Sequence, residues 1–293
     1  MAQRLYQTRN SKNQNNTFKY RINCQERVNS ESDTSDWLQI LSKIEHDSPG
    51  YKLFKGLLEN KTPIVVKIGP PILQKEFEYG DLLEELGLPT FIRFYCIFNC
   101  LDNFNSITNS TKSLCKKEGY KITVLVMPNI KLGSIGSYPW TRENFPMLKN
   151  IVKHCILSLF YAYEKLHFLH RDFHLGNILL KKTRRTEITY GDISLETFGY
   201  IPVIMDFDKS ILQEGVPFVY DDIIHFIGLL HSSMPDIRLD SYTIVQTLTK
   251  FIKTNTPITH IIISQLLNEI DNFTIRYFTS EIIMPNWLKS KSS

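Results

Sequence analysis

The sequence predicts an α+β chain, strand-rich around one helix in its first part and mainly helical in its second. Three observations predict it. Short β-branched and aromatic runs bounded by turn formers dominate up to about residue 128. A long stripe at three- and four-residue spacing (Leu148, Ile151, Val152, Cys155, Ile156, Leu159, Phe160, Tyr163) then marks an amphipathic helix. Further helical patterns return after residue 220.

Residues 1–33 are polar and without periodicity, so they read as a flexible extension. "DWLQILSKI" (36–44) is a short helix or a first strand. "YKLFKGLL" (51–58) and "PIVVKI" (63–68) flank "ENKT", the pattern of a hairpin with a four-residue turn. "ILQKEFEYGDLLEEL" (72–86) is a helix stopped by "GLP". "TFIRFYCIF" (90–98) and "KITVLVM" (121–127) are two more strands, separated by an Asn- and Ser-rich surface insert. After the helix at 148–168, "DDIIHFIGLLHSS", "DSYTIVQTLTKFIKT" and "PITHIIISQLLNEIDNF" supply the later helices. The domain limits expected are 34–128 for a first lobe and 129–293 for a second, with one ligand cleft between them.

Composition narrows the class. At 293 residues, 42% hydrophobic and 22% charged, the chain is an ordinary globular protein. Its net charge of +4 is small, and much of it lies in Arg4, Arg9, Lys12, Lys19, Arg21 and Arg27, so nucleic-acid binding has little support. Five cysteines (24, 96, 100, 115, 155) lack metal-ligand spacing or a disulfide framework, which argues for a reducing compartment. With neither a secretory leader nor a run of about 18 apolar residues, the expectation is a soluble intracellular protein, cytoplasmic or nuclear, without membrane contact and monomeric.

The chemistry lies in "HRDFHLGNILL" (170–180) and "IPVIMDFDKS" (201–210). Ionised side chains are costly to bury unless they are paired or hold a metal. Here His170, Arg171 and Asp172 directly follow the long helix, Asn177 stands five positions after Asp172, and an apolar strand then ends at Asp206.

These residues resemble the catalytic loop H-R-D-x-x-x-x-N and the metal-binding aspartate of the protein kinases. The wording is most similar to haspin-like divergent kinases, and more faintly to kinases of large DNA viruses; the resemblance covers most of residues 37–230. It implies a bilobal protein kinase-like fold, with a small antiparallel sheet and one main helix in the first lobe and a larger helical second lobe. It implies ATP and Mg²⁺ as cofactors and a protein hydroxyl, on serine or threonine, as acceptor. Asp172 would take the hydroxyl proton, Asn177 and Asp206 would hold magnesium, and His170 and Arg171 would support the loop. Lys67, in "PIVVKIG", would grip the nucleotide phosphates and pair with Glu76 or Glu78; Glu76 is preferred because Tyr79 and Leu83 then face inward at i+3 and i+7. Met127 would back the nucleotide pocket, with the backbone of Pro128, Asn129 and Ile130 toward adenine. Asp222 would anchor the catalytic loop or cap its own helix.

The family pattern is also altered. Of the G-x-G-x-x-G loop only Gly50 and Gly56 stand, with Glu45 and Asp47 where glycines are usual, and Asp208 replaces the glycine after Asp206-Phe207. His174 holds a position where protein Ser/Thr kinases usually have lysine. Two other readings therefore stand beside the protein kinase: a catalytically impaired binding module, and a small-molecule phosphotransferase of the aminoglycoside- or choline-kinase type.

Overall fold

The computed structural model describes residues 24–30, 34, 37–44, 50–103, 107, 114–116, 118–214, 217–233, 246, 249–250 and 260–272, and the pairs 237–238, 274–275 and 282–283. The basic residues of the expected extension up to Arg21, Glu45 and Asp47, and most of "DSYTIVQTLTKFIKT" lie outside the described residues. The chain divides into two compact units, residues 1–77 with 93–129, and residues 78–92 with 130–293.

The first unit is built on a five-stranded antiparallel sheet. Its strands are β1 (Leu38–Ile44), β2 (Lys52–Leu58), β3 (Pro63–Gly69), β4 (Cys96–Asp102) and β5 (Tyr120–Pro128), in the order β1-β2-β3-β5-β4. Alternation places Ile64, Val66 and Ile68 of β3 with Ile122, Val124 and Val126 of β5 in one core, joined by Trp37, Phe54 and Phe98. Gly56 faces Ile40 next to the register shift between Ile40 and Ser42. A Cβ there would meet the Gln39 carbonyl oxygen at 2.6 Å, so the position takes no side chain.

Two expectations change in this unit. Residues 90–95 are not strand; β4 begins at Cys96 and runs into the polar insert. The apolar "TFI" instead serves the second unit, where Ile92 donates to the Ile204 carbonyl at 2.9 Å and Ile204 to that of Thr90 at 2.8 Å. The cysteines also pair: Cys24, in helix α1 (Cys24–Ser30), is bonded to Cys96, and Cys100 to Cys115, leaving Cys155 free and buried. The reading of unpaired thiols, and the reducing compartment inferred from it, therefore loses its premise. Helix α1 itself falls inside the stretch read as a flexible extension.

Helix α2 (Ile72–Glu84) carries the division between the units, after Phe77. The second unit is organised by helix α3 (Phe145–Leu166), whose apolar stripe is buried as its periodicity requires. Pro146 stands in its first turn, and it ends at His167, which adopts a left-handed conformation (φ 54°) and returns its N–H to the Ala162 and Tyr163 carbonyls. Past a two-residue strand β6 (Trp140–Thr141) before that helix, short ladders follow it: β7 (Phe168–Leu169), β8 (Ile178–Lys182), β9 (Glu187–Tyr190), β10 (Ile193–Glu196), β11 (Tyr200–Ile204) and β12 (Ile211–Leu212). Helices α4 (Pro217–Ser233) and α5 (His260–Asp271) complete the unit. The architecture is α+β. No helix among the described residues is long and apolar enough to cross a membrane.

Candidate active site

In the first unit the sheet presents Lys67 to α2. Lys67 lies on the face of β3 opposite Val66 and Ile68, and its Nζ meets Glu76 Oε2 at 2.8 Å. Of the two glutamates left open by the sequence, Glu76 meets the amine. Both residues are buried (6% and 0% exposed), so the charges compensate one another in a medium that penalises either alone. Tyr51 covers the amine with its ring, 4.6 Å from Nζ to centroid. Gly50, just before it, has φ 94°, a conformation that suits glycine. Met127 is buried on β5 opposite Val65, and the Asn129 N–H donates to the Pro63 carbonyl at 3.3 Å. With Pro128 lacking an N–H, neither residue has a free backbone donor here. Ile130, in the second unit, accepts from the Gly133 N–H at 3.4 Å.

In the second unit two antiparallel ladders hold the two motif loops together. β7 pairs with β12, and β8 with β11. Residues 170–177 connect β7 to β8, and residues 205–210 connect β11 to β12, so both ends of both loops are fixed in register. Phe207 is fully buried and sets its ring against those of Phe91, Phe168 and His170 at centroid distances of 6.4, 5.8 and 5.8 Å. That packing anchors the aspartates on either side of it.

The supporting residues follow from this frame. His170 is buried and donates from Nε2 to the Met205 carbonyl (3.0 Å), linking one loop to the other. Its Nδ1 has no hydrogen-bond partner among the described residues, as suits a neutral ring. Burial holds its pKa down to about 4, against a partial lift from the Met205 bond. Asp222, on α4, accepts the backbone N–H groups of His170 and Arg171, while burial pushes its carboxyl up to about 6. Of the two readings of Asp222, the contacts are those of a loop anchor. They hold Arg171 in a left-handed conformation at φ 65°, and Asp206 has φ 68°. Non-glycine residues persist in that region only where their surroundings over-determine them, most often at functional sites.

The carboxylates of the two loops converge. One carboxylate oxygen each from Asp172, Asp206 and Asp208 lies within 4.8 Å of the others. Asn177 donates from Nδ2 to the Asp172 carbonyl at 3.0 Å, and its own carbonyl accepts from the Met205 N–H at 3.0 Å. Hard oxygen donors in this number suit a cation such as Mg²⁺. Two participants escaped sequence reasoning. Asp208 registered only as a lost glycine, although the Asp-x-Asp spacing was a signal that both carboxylates could serve one site. Lys209 carried no motif; its Nζ meets Asp172 Oδ2 at 2.9 Å, and that bond raises its pKa.

Residues 141–267 match a family model described as "Haspin like kinase domain". Over that stretch the chain is similar to the haspin-like protein kinases. The mouse serine/threonine-protein kinase haspin is 40% identical over 79 residues, covering 26% of this chain and 10% of that protein. The bovine haspin is 39% identical over 79 residues with the same coverage, 26% and 10%. An uncharacterized protein of Caenorhabditis elegans is 32% identical over 75 residues, 24% of this chain and 25% of its own. The matched stretch thus spans a tenth of the length of the two haspins.

Proposed function

We propose that this haspin-like chain is an ATP- and Mg²⁺-dependent protein kinase that phosphorylates serine or threonine hydroxyls. The observation that carries the reading is the convergence of Asp172, Asp206 and Asp208 within 4.8 Å, beside an Asn177 tied to the Asp172 backbone. A folded scaffold has no need to collect three carboxylates, since like charges at that range repel.

In this reading Lys67, held by Glu76, binds the nucleotide phosphates. Gly50, Met127, Asn129 and Ile130 contribute to the nucleotide site, the last two through their carbonyls. Asp206 and Asn177 hold magnesium, with Asp208 beside them; the ion supplies positive charge to the transferring phosphoryl group. Asp172 accepts the proton of the attacking hydroxyl. Such positioned general-base work contributes roughly 10² to 10⁴ in rate. The chain acts on a protein substrate, as a monomer inside the cell.

Transfer of labelled phosphate from ATP to casein tests this. Wild type should label casein in magnesium buffer and stop when EDTA is added. Asp172→Ala and Asp206→Asn should lose at least about 100-fold in rate. Equal labelling by wild type and Asp172→Ala would remove Asp172 from the chemistry. An inert wild type that still binds ATP would make the chain a binding module.

A further inference from the structure

Among the groups around Asp172, Lys209 is placed in a way that folding does not explain. Its side chain is 60% exposed and that of Asp172 24% exposed, and an ion pair this open to water adds little to stability. Yet the amine contacts one specific atom, Asp172 Oδ2, at 2.9 Å. His174 Nε2 lies on the same oxygen at 3.8 Å. The other oxygen, Oδ1, takes no hydrogen bond or ion pair from the described residues. Lys209 stands at the end of the Asp206-Phe207-Asp208 segment, whose path is fixed by buried Phe207 and by the Ser210 N–H bond to the Phe207 carbonyl at 3.1 Å. Its backbone is therefore anchored on both sides while the amine reaches across to the other loop.

We infer that Lys209 is a positioning residue: it holds Asp172 by Oδ2 so that Oδ1 is the oxygen that receives the acceptor's proton. The inference rests on the proposed kinase reading. In the step it serves, the hydroxyl oxygen of the acceptor forms a bond to the γ-phosphorus. The bond from that phosphorus to the β-phosphate oxygen breaks, and ADP leaves with the electron pair. The hydroxyl proton passes to Asp172 Oδ1. A carboxylate free to rotate would offer either oxygen at the wrong angle for part of the time, and misplacement on the order of 1 Å lowers a rate by about 100-fold. Lys209 also brings a cation to three neighbouring carboxylates, which limits their mutual repulsion.

The test compares wild type, Lys209→Met, Lys209→Arg and Asp172→Ala on casein, with KM for ATP and kcat measured separately and binding of a fluorescent ATP analogue followed in magnesium. Lys209→Met should lower kcat by roughly 10- to 100-fold and leave KM for ATP and analogue binding within about twofold. Lys209→Arg, which keeps a donor in reach, should recover most of the loss. Thermal unfolding of the methionine variant should match wild type, because the pair is exposed. Full kcat in Lys209→Met, beside an inactive Asp172→Ala, would overturn this inference and leave the kinase reading intact. Loss of analogue binding in Lys209→Met would overturn it too, by moving the lysine to the nucleotide. If wild type and Asp172→Ala are equally inert, both readings fall together.

Discussion

The carboxylate of Asp222 accepts two consecutive backbone N–H groups, that of His170 at 2.8 Å through Oδ2 and that of Arg171 at 2.9 Å through Oδ1. One side chain on α4 thus fixes the entry to the loop of residues 170–177, and it does so through the backbone, where the identity of the loop residues matters least. It also sets two buried titrating groups with opposite pH behaviour at one point of the structure.

The pH dependence of stability follows from their signs. Asp222 is raised to about 6 from 3.8, so between those values the folded chain holds a proton that the unfolded chain has lost. Its contribution therefore falls as pH rises from about 4 to about 6. His170 is lowered to about 4 from 6.5, so the folded chain refuses a proton that the unfolded chain accepts, and stability is lost as pH falls through that window. The two slopes oppose. Asp222→Asn removes the first and leaves the second, adding to the same trend from His154, which burial also lowers to about 4. Urea midpoints at three pH values should show the variant losing stability faster than wild type as pH falls from 6.5 to 4, by up to about 1.4 kcal/mol per pH unit. Parallel curves would contradict the assignment.

The Lys67–Glu76 pair invites a double-mutant cycle. Glu76→Leu leaves a buried ammonium without its 2.8 Å partner and should cost about 3–5 kcal/mol in urea unfolding. Lys67→Met removes the same 2.8 Å contact from the buried carboxylate and should cost a similar amount. The double variant, with two apolar groups facing one another, should lose much less than the sum. Additivity to within about 0.5 kcal/mol would mean that the pair is not coupled.

Much of this was legible in the sequence, and the limits have physical causes. The β2–β3 hairpin, α2 and α3 were readable because alternation, a four-residue turn, and three- and four-residue spacing are local signals. His170, Asp172, Asn177 and Asp206 were readable as a set because their offsets are fixed. Residues 90–95 misled because an apolar run does not say which core it enters; here Thr90 and Ile92 bond to Ile204, and only Tyr95, which donates to the Val126 carbonyl, reaches β5. The β9–β10 hairpin went unread although "EITYGDISLE" carries strand alternation around a Gly-Asp turn. Cysteine pairing depends on which strands become neighbours, which spacing does not encode. Lys209 was invisible for the same reason: its partner lies 37 positions away, across a ladder.

The two disulfides should hold the first unit unequally. In the chain-entropy account a bridge restricts the unfolded chain more as the closed loop lengthens. Cys24–Cys96 closes 72 residues and Cys100–Cys115 closes 15. The expected losses are about 4 and about 3 kcal/mol for Cys24→Ser/Cys96→Ser and Cys100→Ser/Cys115→Ser. Dithiothreitol should lower the wild-type urea midpoint below that of either pair variant. An unchanged midpoint in reductant would show that the bridges do not form in the protein.

The last prediction concerns how the β9–β10 hairpin is held to α3. His154 donates from Nε2 to the Glu196 carbonyl at 2.8 Å, and that same carbonyl accepts from Asn150 Nδ2 at 2.6 Å. With Nε2 as the donor, Nδ1 must accept, and the Tyr190 hydroxyl supplies the proton across 2.7 Å. Because burial keeps His154 neutral at pH 7, no second proton replaces a lost partner. Tyr190→Phe keeps the ring packing and removes the hydroxyl, which also hydrogen-bonds with Ser158 and Thr90, leaving the buried Nδ1 acceptor without its donor. Loss of about 1–3 kcal/mol is expected in urea unfolding. Phosphate transfer to casein at 25 °C should stay within about twofold of wild type, since none of these side chains contacts Asp172, Asn177 or Asp206. A variant as stable as wild type would mean that water reaches Nδ1 and that the hairpin is held by packing alone.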